Sequence, residues 1–111
     1  MNSVLFVTDP LNGLQADIDA TIGLMSATQD LGLDVWSCEP ADLIVANGKL
    51  HARAHRIRLR PRHPAGGDHR WIVDPHWYDE LATTVVEVAD FDMVQLRILM
   101  RVVLGPAPHG G

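Results

Sequence analysis

The sequence predicts an α/β fold, a small open sheet on a βαβ core with a β-hairpin excursion. Three observations predict it. An apolar run, a helix-periodic stretch and a second strand-like run follow one another within the first forty residues. Asn47-Gly48 stands between two further strand-like runs, the strongest short-range hairpin signal. The chain has 111 residues, 47% hydrophobic and 21% charged, which suits one core of ordinary globular composition.

Ser3–Thr8 is continuously apolar with β-branched residues and reads as a buried strand. Asp9-Pro10 ends it, because proline cannot continue a ladder. Leu11–Ala16 contains Asn12-Gly13 and reads as a loop. A helix follows, with Asp17 or Asp19 available to cap the free first-turn amides. Ile18, Ile22 and Met25 recur at helical spacing, as do Ala20, Leu24, Ala27 and Leu31. Gly32 sits where a left-handed terminus is wanted. Gly23 costs on the order of 1 kcal/mol against alanine and predicts close packing on a sheet. Leu33–Ser37 is the next strand, parallel to the first across a right-handed crossover.

Asp42–Ala46 and Lys49–Ala54 form the hairpin around Asn47-Gly48, where both turn residues must take positive φ. Its second arm changes phase: Leu50, Ala52 and Ala54 hold one parity, Ile57 and Leu59 the other. A β-bulge near His55-Arg56 is expected to keep all five on one face. Pro61–Gly67 reads as a mobile loop and Arg70–Val73 as a short strand. Asp74–Ala82 has mixed signals and no assignment. Thr83–Val88 is strand-like, Ala89–Phe91 a junction, and Asp92–Leu96 a further core strand. The Pro/Gly-rich tail Gly105–Gly111 is expected to be disordered.

Charge and composition exclude several functions. No apolar run approaches the roughly 20 residues of a membrane span. The amino terminus lacks the basic region and long apolar stretch of a signal peptide, so a cytoplasmic setting is expected. Cys38 is alone, which excludes an internal disulfide and a cysteine zinc cluster. Net charge is −5, yet Lys49, Arg53, Arg56, Arg58, Arg60, Arg62 and Arg70 cluster within a span whose single acid is Asp68. This ribbon is either a nucleic-acid patch or a solvated hairpin answering its own protein's acids. The acidic net charge favours the latter. The six histidines show no ligand spacing of the His-Glu-x-x-His kind, so no metal site is expected. Cys38 has no adjacent base to lower its pKa, and there is no nucleophile elbow, dinucleotide fingerprint or P-loop. No catalytic residue is assigned.

Several pieces together resemble the N-terminal domain of prokaryotic-type glutathione synthetases, which precedes an ATP-grasp module. They are Val7-Thr8-Asp9-Pro10; Asp19-Ala20-Thr21 opening a helix with Met25, Gln29 and Gly32; Glu39-Pro40-Ala41-Asp42-Leu43 before Asn47-Gly48-Lys49; the alternating arm Ala52–Leu59; and Ala89–Arg97. The resemblance covers about ninety residues and rests on their order. It implies a pre-ATP-grasp, Rossmann-like half in residues 1–97, leaving 98–111 as a divergent strand and flexible tail. The family couples γ-glutamylcysteine to glycine through an acyl phosphate, using ATP and magnesium held by the ATP-grasp module. This sequence departs from the family after Arg97. An Asp-Pro-Pro element is missing there, and Ile98–Leu104 leads into the tail. A truncated or frame-shifted gene product is one explanation.

By resemblance the substrate side comprises Asp9, Pro10, Asp19, Thr21 and Arg97. Loops at the carboxyl ends of parallel strands are where open α/β sheets take ligands. A helix start attracts anions, although Asp17 and Asp19 compete there, and a plain capped helix is the other reading. Arg97 either faces substrate or pairs with Asp9 or Asp92. The expected function is that of a substrate-side or subunit-contact domain, inactive alone and without its own cofactor. A homo-oligomer or an ATP-grasp chain is the expected partner and a small peptide the expected ligand. The alternative is a stand-alone binding or assembly module whose basic hairpin meets an acidic partner.

Overall fold

The computed structural model describes residues 2–14, 20–61, 63–65, 70–72 and 76–97. Among the described residues eight strands and one α-helix run in the order β1 (Ser3–Thr8), α1 (Ala20–Asp30), β2 (Asp34–Cys38), β3 (Leu43–Ala46), β4 (Lys49–Leu59), β5 (His63–Ala65), β6 (Arg70–Ile72), β7 (Tyr78–Glu87) and β8 (Met93–Arg97). Six strands form one mixed sheet in the order β3-β4-β2-β1-β8, with β7 also paired to β4. β1 is parallel to both β2 and β8, whereas β4 is antiparallel to β2, β3 and β7. The strand-helix-strand start and the hairpin excursion are therefore present, in a small open-sheet α/β domain. No helix among the described residues is long and apolar enough to cross a membrane.

β1 is buried along its whole length because both faces of the sheet are covered there. Val4 and Phe6 join Ile22 and Met25 of α1 with Val35, Ile57, Leu59 and Trp77. Leu5 and Val7 join Cys38, Ala52 and Ala54 on the other face, flanked by Trp36, Val86 and Phe91. α1 is locked by its end. Gly32 takes φ 85, Leu33 N donates to Thr28 O and Gly32 N to Gln29 O, the paired bonds of a left-handed helix terminus. Gln29 then binds both backbone groups of Leu59, at 2.8 and 3.1 Å, tying the helix to β4. At the opposite edge Asp92 Oδ2 accepts from Ser3 N at 2.7 Å and anchors β8.

The hairpin turn is as expected: Asn47 has φ 53 and Gly48 φ 76, and Ala46 pairs with Lys49. Other expectations are corrected. The phase change in β4 is not a bulge that keeps one face apolar. Ala52 and Ala54 lie in one cluster and Ile57 and Leu59 in the other, so the strand changes which face it buries. A register shift does occur at this level, but the unmatched residue is Leu81 on β7: Arg56 pairs with Ala82 and Ile57 with Glu80. The loop expected over Pro61–Gly67 contains β5, which pairs with β6. The segment without an assignment supplies the start of β7. β8 is an edge strand among the described residues, where it pairs with β1 alone, and it has exposed side chains, Leu96 at 67%. Of the helix's two apolar series, Ile22 and Met25 are buried while Leu24 and Leu31 face solvent. Ile18, the caps Asp17 and Asp19, and the tail lie outside the described residues.

Candidate functional site

An open cavity of about 250 Å3 lies at the carboxyl ends of β1 and β2. Thr8, Ser37 and Cys38 end those strands and contribute to its wall, and Asp9, Pro10 and Asn12 form the rim that follows β1. Proline after Asp9 stops the ladder, and a 3-10 turn over Leu11–Gly13 carries the chain away. Glu39 and Asp42 enter from the turn after β2, held together by Glu39 N donating to Asp42 Oδ2 at 2.9 Å.

β4 and β7 supply the remaining wall through His55, Tyr78 and Glu80. Ser37 is opposite His55, so both project from the same face. Glu80 reaches that face because of the register shift at Leu81. With an unbroken register it would stand opposite Arg58, on the reverse face; after the shift it is opposite Ile57. His55 Nδ1 consequently lies 2.8 Å from Thr83 Oγ1 and 3.3 Å from Glu80 Oε1.

Among the described residues four carboxylates line this cavity (Asp9, Glu39, Asp42 and Glu80), and neither lysine nor arginine does. Cys38 registers the resulting field. Burial, followed by the charges of Asp42 and Glu39, pushes its thiol up to about 11, so it is neutral at physiological pH and unfit as a nucleophile. Such a lining repels a nucleotide triphosphate. Among the described residues no group of three or more His, Cys, Asp or Glu side chains is arranged to hold a metal ion. The cavity therefore does not fit ATP with magnesium.

Of the residues expected at the substrate side, Asp9 and Pro10 line the cavity. Thr21 and Arg97 meet beside it: Arg97 is in register with Thr8, and its Nε lies 3.4 Å from Thr21 Oγ1, a long hydrogen bond. Asp92, one alternative partner for Arg97, is engaged by Ser3. Asp19 lies outside the described residues. Sequence reasoning assigned no site role to Ser37, Glu39, Asp42, His55, Tyr78 or Glu80. Glu39 and Asp42 were signalled by their position just after a strand parallel to β1. Tyr78 and Glu80 carried no such signal, because the register shift that aims Glu80 is a pairing property.

A family model described as prokaryotic glutathione synthetase, N-terminal domain, matches residues 2–98. The glutathione synthetase of Parasynechococcus marenigrum (strain WH8102) is 36% identical over 109 residues, covering 87% of this chain and 35% of that protein. That of Synechocystis sp. (strain ATCC 27184 / PCC 6803 / Kazusa) is 36% identical over 72 residues, covering 65% of this chain and 20% of that protein. That of Nostoc sp. (strain PCC 7120 / SAG 25.82 / UTEX 2576) is 29% identical over 92 residues, covering 83% and 28%. The chain spans about a third or less of the length of these relatives.

Proposed function

The chain belongs to the N-terminal-domain family of prokaryotic glutathione synthetases, and from that premise we propose that it acts as the substrate-side domain of such a ligase. The observation that carries this reading is the cavity at the ends of β1 and β2, rimmed by Asp9-Pro10. Ligands of open α/β sheets bind at the carboxyl ends of parallel strands. Arg97 adjoins it through Thr8 and offers a cation to a peptide ligand, with Thr21 Oγ1 accepting from its Nε. The ligand on this reading is γ-glutamylcysteine, in the cytoplasm. ATP and magnesium supply carboxylate activation, and residues outside this cavity hold them. The domain binds and orients, and it does not catalyse by itself. Exposed Leu31, Met93 and Leu96 support contact with the rest of the ligase or with a second copy.

The experiment is direct. The 111-residue chain, supplied with γ-glutamylcysteine, glycine, ATP and magnesium, is expected to release no ADP and form no glutathione above a mock preparation. Magnesium-dependent ADP release would overturn the reading. A basic hairpin recruiting an acidic partner has less support, because Lys49, Arg56 and Arg60 are paired with Glu87, Asp34 and Asp79 of the same chain.

A further inference from the structure

We propose that β8 pairs antiparallel with β8 of a second copy of this chain, across a two-fold axis at Gln95, joining the two sheets into one. The inference deepens the subunit-contact part of the reading above and is independent of the cavity.

The ladder on the inner side of β8 fixes which backbone groups point out. Ser3 N donates to Asp92 Oδ2 and Ser3 O accepts from Asp92 N, while Asn2 O accepts from Asp34 N at the start of β2. Backbone groups alternate sides along a strand, so the odd residues of β1 face β8 and the even ones face β2. Leu5 stands opposite Val94 and Val7 opposite Leu96. In a parallel ladder such residues bond the neighbours of their opposite number, so Met93, Gln95 and Arg97 turn their backbone groups to β1. Val94 and Leu96 turn theirs outward, and no strand among the described residues pairs with that edge.

β8 also lacks the features that protect an edge. β7, paired on one side only among the described residues, carries Asp79, Glu80 and Glu87 and the unmatched Leu81. β3 has only four residues. Met93–Leu96 has no charge, proline or glycine, and Met93, Val94 and Leu96 are exposed.

An identical strand fits this edge. With Gln95 opposite its own copy, Val94 of each chain exchanges both backbone bonds with Leu96 of the other, using every outward N–H and C=O of the two residues. The same register sets the side chains of Val94 and Leu96 against each other, on the face they share with Leu5 and Val7. Met93 meets Arg97, so no like charges are opposed. An axis at Val94 would need Asp92 N, which already donates to Ser3 O.

Sedimentation equilibrium of the full 111-residue chain should give a mass that rises with concentration toward twice 12.2 kDa. Leu96→Pro removes an outward N–H and leaves the β1 ladder whole, so it should weaken the dimer roughly tenfold or more with amide spectra still native. Leu96→Lys keeps the N–H, sets a charge opposite Val94 of the second copy, and should weaken it too, which covers a proline variant that does not fold. Mild oxidation supplies the register. Gln95→Cys should form a disulfide-linked dimer, since the Cα atoms of such a non-hydrogen-bonded pair stand about 4.5 Å apart. Val94→Cys should not, being offset from its own copy by a diagonal of about 7–8 Å. Cys38 is buried and does not compete. A parent chain that stays monomeric overturns the inference, including one whose Val94 and Leu96 amides are protected by its own tail. So does a dimer that both Leu96 variants leave unchanged, or one that Val94→Cys links as readily as Gln95→Cys. Each of these failures leaves the cavity and the substrate-side reading untouched.

Discussion

Replacing Gly48 by valine should destabilise the domain by about 1–3 kcal/mol without unfolding it. Asn47 and Gly48 have φ 53 and 76, the left-handed pair that a two-residue hairpin turn demands. An L-residue in that region costs roughly 1–2 kcal/mol, and a β-branched one more, within the usual 1–3 kcal/mol for a strained site. No steric cost is added, because a Cβ built at Gly48 meets nothing within 4 Å. The whole penalty is therefore backbone strain, which makes its size predictable. Gly48→Ala should lose less, since alanine is not branched and also narrows the unfolded ensemble by about 0.4–1 kcal/mol. Urea titration followed by tryptophan fluorescence reads the difference. At a slope of roughly 1–3 kcal/mol per molar, a 2 kcal/mol loss lowers the midpoint by about 0.7–2 M. Arg58→Gln, at an exposed position, should stay within about 0.5 kcal/mol. Arg56→Gln should lose no more than about 1 kcal/mol, because its 3.0 Å pair with Asp34 is part-exposed. A Gly48→Val protein as stable as the parent would refute the turn geometry. Unfolded arginine variants beside a native Gly48→Val would refute the register of β4.

Three further outcomes follow from the same structure. Cys38 should react with iodoacetamide far more slowly in the native protein than in urea at pH 8, where a thiol of pKa about 11 is roughly a thousandth ionised. Folding raises this pKa from 9.0, so the stability it contributes is complete below pH 9 and is lost as pH rises from 9 to 11; Cys38→Ala should flatten that decline in urea midpoints. Asp79 is held below 3.8 first by its hydrogen bond from Arg60, with His76 adding to the effect. Its contribution to stability is present above 3.8 and lost as pH falls through the lower folded value, and Arg60→Gln should bring its carboxyl titration in NMR back toward 3.8. The chain should also self-associate, since Leu31, Val45, Met93 and Leu96 are exposed; a monomeric mass by light scattering across a wide concentration range would count against this.

Parts of the site were legible in the sequence for a definite reason. Asp9-Pro10 marks a strand end whatever the strand later pairs with, and a strand end in a βαβ unit is a ligand position. Glu80 was illegible, because its side is decided by the unmatched Leu81, a fact about how β7 lies against β4. Ser37 reads as an ordinary polar residue in a strand until its neighbours bury it to 2% at the wall of the cavity.

The sequence by itself determined what depends on local dihedral angles and short periodicity. These are the buried first strand, the helix ending at Gly32, the parallel second strand and the Asn47-Gly48 turn. Each is specified by residues within a few positions of it, since glycine or asparagine at positive φ and proline after a strand act on their own backbone. Only the tertiary structure decided which faces are covered. The parity change of β4 was visible as a pattern, yet a bulge and an exchange of buried face give the same pattern. The exchange prevails because α1 covers Ile57 and Leu59 on one side while Leu5, Val7 and Val86 cover Ala52 and Ala54 on the other. β8 reads as a core strand from its apolar residues but stands at the sheet edge, because β1 has only two edges and β2 occupies the other. Burial is a property of neighbours brought from far along the chain, and residue order carries it only once the pairing is known.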